Sequence, residues 1–100
     1  MADTAVKSRD LVVTGIKAPS KYKVVVMNDD VTPMEFVIVM LMVVFKHSQE
    51  QATELTLAIH NNGSAVAGVY SFEIAEQKGI DATMLARENG HPLQIRVEEE

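Results

Sequence analysis

The chain predicts an α+β fold: a compact β-α-α-β-α-β domain, with a three-stranded sheet and three helices packed on one face. Three observations predict it. Short β-branched or alternating runs stand at Tyr22–Met27, Ala65–Ala75 and Leu93–Val97. Helix-start chemistry stands between the first two, at Thr32 and again at Ser48. The length of 100 residues allows one small domain, since domains cluster near ~100–150 residues. Because helices separate the strands, hairpins alone cannot build the sheet, and helices on a single face are the economical solution.

The elements follow in order. Residues 1–20 mix charged and small side chains without period and end at Ala18-Pro19-Ser20, which reads as a flexible N-terminal extension ahead of a core at 21–100. Tyr22–Met27 is too short and too β-branched for a helix, so it reads as a strand. Asn28-Asp29-Asp30 stops it, because these side chains bond their own backbone and favour turns. Thr32 suits a helix N-cap, Pro33 the first helical position and Glu35 the third, closing a capping box. This helix should run to about Lys46. Ser48 and Gln51 repeat the capping signature, and Ala52, Leu55 and Ile59 form the stripe of a second helix that Gly63 ends in the left-handed region. From Ala65 to Ala75 the period becomes two, with Tyr70, Phe72 and Ile74 alternating against Ser71 and Glu73, which predicts a strand. A third helix is expected over Glu76–Asn89 despite Gly79, which costs about 1 kcal/mol relative to Ala. Leu93, Ile95 and Val97 close the chain as a last strand.

Composition excludes several functions. Hydrophobic residues are 47% and charged residues 23%, the balance of a chain that can build a core. No Cys is present, so disulfide frameworks and thiolate sites are out and a reducing, cytoplasmic setting is expected. A net charge of -5 with no basic cluster argues against nucleic acid and against a cationic membrane helix. The apolar run Met34–Phe45 would rise only ~18 Å as a helix against a ~30 Å hydrocarbon core. Metal ions and other cofactors are not expected: His47, His60 and His91 lack ligand spacing, and Asp29-Asp30 lacks the calcium pattern.

Two features stand out. Asn28-Asp29-Asp30 puts an amide and two carboxylates between a strand and a helix, either as a solvated turn or as acceptors for a cationic ligand. The first helix has Glu35 as its lone polar residue from Met34 to Phe45, so Val39, Met42 and Val43 are flagged as a contact surface.

Taken together, the residues carry a family resemblance. The run Tyr22–Asp30 with Thr32–Val37 resembles the ClpS adaptor family, and so do Ala52-Thr53, His60 with Gly63 and Ala65, Gly68-Val69-Tyr70, Glu73 with Ala75-Glu76 and Lys78, and Ala86-Arg87-Glu88 before Gly90-His91-Pro92-Leu93. The resemblance spans residues 21–98 without gaps. It implies a non-enzymatic adaptor that binds proteins with a bulky hydrophobic N-terminal residue (Leu, Phe, Tyr or Trp) and delivers them to a ClpA- or ClpC-type AAA+ unfoldase of a bacterial Clp protease. It further implies an amine-binding set of Asn28, Asp29 and His60. The implied apolar pocket comprises Asp30, Thr32, Met34, Val37, Ile59 and Leu93, with Thr56 at its edge. Glu73 and Lys78 are implied to dock on the unfoldase N-domain. Thr56 departs from the family's usual Met, which should reshape the pocket. The rival reading is an interaction module like the C-terminal domain of the ribosomal stalk protein, of similar architecture but blind to a chain start.

Overall fold

A computed structural model describes residues 20–100, running β1 (Tyr22–Met27), α1 (Met34–Phe45), α2 (Gln49–Asn62), β2 (Ser64–Tyr70), α3 (Phe72–Glu88) and β3 (Ile95–Glu99). The extension expected before the core falls, Ser20 apart, outside the described residues. The sheet has the order β2-β1-β3, with β1 antiparallel to both neighbours. Its inner face is laid down by the pleat: Val24 pairs with Gly68 and Val97, Val26 with Ala65 and Ile95, and both valines are fully buried under the helices. Val66 and Val69 sit on the opposite, exposed side. The register shifts by one between Val24 and Val25, which leaves Ala67 as the extra residue of a β-bulge.

The start of α1 lies one residue later than the capping signature implies. Pro33 is the N-cap, and Thr32 makes no cap bond because its hydroxyl donates instead to Asp29 Oδ2 at 2.8 Å. The helix then divides its apolar sequence between two environments. Val37, Met40, Leu41, Val44 and Phe45 are buried, Met42 is half-buried, and Val39 and Val43 are exposed. It stops at Phe45, where Lys46 takes a left-handed φ of 62° and turns the chain. The next residue, His47, donates from Nε2 to the Ala67 carbonyl at 2.6 Å, tying the α1–α2 corner to the bulge. No basic residue stands in the last turn of α1, and Lys78 supplies one from α3, donating to the Val44 carbonyl at 2.7 Å.

In α2 the expected capping box is complete: Gln51 N–H donates to Ser48 Oγ, and Ser48 N–H donates to Gln51 Oε1. Gly63 ends the helix at φ 91°, as expected. The buried stripe is Ala52, Thr56 and Ile59, with Leu55 only half-buried.

The third helix begins at Phe72, so the strand expected to reach Ala75 ends at Tyr70. Five alternating residues fit a period of two, but Phe72 and Ile74 occupy the first turn of α3. There the Phe72 ring meets Tyr22 edge-on, 5.0 Å between centroids. The burial of α3 falls on small residues, Ala75, Gly79, Ala82 and Ala86, which carry little apolar signal in the sequence. Gly79 has a packing reason: a Cβ there would meet Val97 Cγ2 at 3.0 Å, so its absence lets the helix approach the sheet closely. The last strand begins at Ile95, and Leu93 is buried in the core from the turn before it.

Candidate functional site

One end of β1 gathers the expected site. The Met27 N–H donates to the Gln94 carbonyl at 3.0 Å, and the Asn28 N–H donates to the Gly63 carbonyl at 2.8 Å. These two bonds draw the C-terminal end of α2, which carries Ile59 and His60, and the α3–β3 turn, which carries Leu93, to the point where the β1–α1 loop departs. The loop itself brings Asp29, Asp30, Thr32 and Met34.

Asp29 is occupied by its own loop. The amides of Val31 and Thr32 both donate to Oδ1 at 2.7 Å, and the Thr32 hydroxyl takes Oδ2. Burial pushes the Asp29 pKa up, but the Thr32 amide and hydroxyl, the Val31 amide and the nearby charge of His91 together carry it below its ordinary 3.8. Three donors on one carboxylate make Asp29 the group that shapes the loop. Asn28, Asp30 and His60 stay exposed, with side chains open to solvent chemistry.

The other expected residues contrast with this polar rim. Val37, Ile59 and Leu93 are at most 5% exposed and belong to one buried cluster with Val24 and Val26. Thr56 is the one buried polar residue among those described, at 3% exposure. Its hydroxyl donates to the Ala52 carbonyl one turn earlier at 2.8 Å, so its polarity is satisfied within the helix and Thr56 acts as an apolar residue smaller than Met. Met34 stands half out of the protein at the mouth of the loop.

Glu73 and Lys78 are not brought to this site; both lie on α3. Glu73 is exposed in the first turn, whereas Lys78 leans onto the end of α1. Five residues apart, they point about 140° from each other around the helix. Two residues beside the site, His91 and Arg87, enter the sequence reading with no role in the site. The His91 ring lies on Phe36, 4.6 Å between centroids, and Arg87 Nη1 donates to the carbonyls of both His91 and Leu93. Bonds to main-chain carbonyls leave no trace in residue type, so no signal pointed to this contact of Arg87. Among the described residues no group of three or more metal-binding side chains exists, and no helix is long and apolar enough to cross a membrane.

The comparisons with known proteins bear on this arrangement. The family model of the ATP-dependent Clp protease adaptor protein ClpS matches residues 17–96. The chain belongs to the ClpS family. It is 50% identical over 84 residues to the ClpS adapter of Shewanella pealeana, a match covering 84% of this chain and 82% of the relative. It is 47% identical over 91 residues to that of Citrobacter koseri, covering 91% and 86%. A solved structure of Agrobacterium tumefaciens ClpS2 bound to L-phenylalaninamide superposes with a TM-score of 0.81 at 43% identity, covering 83% of this chain and all of that one. The α+β order read from the sequence is therefore that of a ClpS fold. As a ClpS adaptor the protein serves the Clp protease by binding, without breaking bonds itself.

Proposed function

We propose that this adaptor reads the first residue of its substrates, gripping the free α-amine at the polar rim and the side chain against the buried wall. The observation that carries this reading is the junction at the end of β1, where exposed hydrogen-bonding groups meet an apolar cluster. A free chain start carries one positive charge and three donors, so it calls for acceptors. Asn28 Oδ1 and a neutral His60 ring nitrogen supply them, and Asp29 adds negative charge while holding the loop. Protonating His60 removes its acceptor and opposes the ligand. The first side chain then lies against Val37, Ile59, Leu93 and Thr56, with Asp30, Thr32 and Met34 at the mouth.

L-phenylalaninamide has a free amine, a benzyl side chain and an amide where the next peptide bond would be. Its complex with a protein of 43% identity supports the same ligand class here, Leu, Phe, Tyr or Trp at position one. Burying such a side chain is worth roughly 1.5–3 kcal/mol, and with the amine bonds the total reaches micromolar affinity, about -8 kcal/mol. Delivery to a ClpA- or ClpC-type unfoldase would use Glu73 and Lys78 on α3, with residues 1–20 serving substrate hand-over.

The test is fluorescence anisotropy with a Phe-starting peptide, free and N-acetylated. Acetylation removes the charge and two donors, so affinity should fall at least about a hundredfold, the loss expected for charge-assisted bonds. Equal binding of the two peptides overturns the reading.

A further inference from the structure

The turn between α3 and β3 supplies Leu93 to the wall, yet it lies outside any strand and is not held by a sheet ladder at that residue. Its restraint comes from elsewhere. Gly90, at φ 77°, donates its N–H to the Arg87 carbonyl, and the His91 N–H returns to the Ala86 carbonyl, which closes the helix end in a Schellman arrangement. From that helix end Arg87 reaches forward. Its Nη1 donates to the His91 carbonyl at 2.9 Å and to the Leu93 carbonyl at 2.8 Å. A single guanidinium nitrogen thus spans the turn at both ends of Pro92.

The held segment touches both halves of the proposed site. The Leu93 side chain is 2% exposed in the core. The His91 ring lies on Phe36, the neighbour of Val37 in α1. The residue after Leu93 accepts the Met27 N–H, next to Asn28. Moving this turn would therefore shift the wall, the α1 contact and the strand end together.

We propose that Arg87 is a positioning residue for recognition: its guanidinium clasps the α3–β3 turn and fixes Leu93 and the His91 ring against the rest of the site. This rests on the reading of the site as a pocket for a first side chain. Arg87 itself is exposed and makes no contact with the ligand in this account. Lysine cannot replace it fully, because an ammonium is a point donor on a flexible stem, whereas the guanidinium is planar and pre-oriented.

The experiment uses the full chain with methyl-labelled Leu, comparing wild type, Arg87→Ala, Arg87→Gln and Arg87→Lys. Affinities are measured for peptides beginning with Leu, Phe, Tyr and Trp, and the Leu93 methyl resonances are followed in the free proteins. Arg87→Ala and Arg87→Gln should weaken binding about tenfold and change the ranking among the four peptides, with Arg87→Lys recovering part of the loss. The Leu93 methyl resonances should move in step. A uniform loss of stability would leave the ranking of the folded fraction untouched, so the ranking separates positioning from mere support. Unchanged affinities, ranking and Leu93 resonances in a folded Arg87→Ala or Arg87→Gln protein overturn the proposal. Should the wild type bind none of the peptides, the functional reading falls; a displaced Leu93 resonance then still upholds the clasp, and an unmoved one still overturns it.

Discussion

The two halves of the proposed site are built from opposite materials. The rim, Asn28, Asp30 and His60, consists of exposed side chains on a loop and a helix end, while three residues of the wall, Val37, Ile59 and Leu93, belong to the same cluster that holds the sheet to the helices, and the fourth, Thr56, is buried as well. The rim can therefore change without the fold noticing, but the wall cannot. On the proposed reading, charge recognition is separable from stability, whereas side-chain preference is tied to it.

The largest effect should come from breaking the wall. Leu93→Ala removes a fully buried side chain and should cost about 2–5 kcal/mol in urea unfolding, while Asn28→Ala should change stability by no more than about 0.5 kcal/mol and still weaken peptide binding about tenfold. If Asn28→Ala destabilises as much as Leu93→Ala, the division between rim and wall is wrong. Asp29 lies between the extremes, a rim residue with structural bonds. Its folded pKa is below the ordinary 3.8, so its contribution is fully present above that value and fades as pH falls through the lower, folded one. Thermal melting should show Asp29→Asn less stable than wild type at neutral pH, with the gap closing below about pH 4. A gap that stays constant down to pH 2.5 assigns the loss to something other than the carboxylate charge. A modest effect on stability is expected at Thr56, where replacement by Met changes unfolding by less than about 1.5 kcal/mol if the added atoms enter the pocket. That substitution should reorder the affinities for Leu, Phe, Tyr and Trp, and an unchanged order would remove Thr56 from the wall.

Much of this was legible locally. The β-branched run Tyr22–Met27 is β1 to the residue, and the Ser48–Gln51 capping box and Gly63 bound α2 where expected, because each is decided by groups within four positions. The errors arose where one residue type admits two local roles or carries little apolar signal. Thr32 has the composition of a cap but is captured by Asp29, and α3 hides its start because the residues it buries are alanines and a glycine. The site divides the same way. The resemblance proposes its residues, but Lys78 bonds a carbonyl 34 positions away and Arg87 bonds main-chain oxygens, contacts to which sequence is blind.

The bonds at the end of β1 also bear on speed. With Met27 tethered to one neighbour and Asn28 to the other, the elements that carry the proposed site are joined to one another in the free protein. On the proposed reading, little backbone ordering is left for an incoming terminus to bring about, so capture should be limited by encounter.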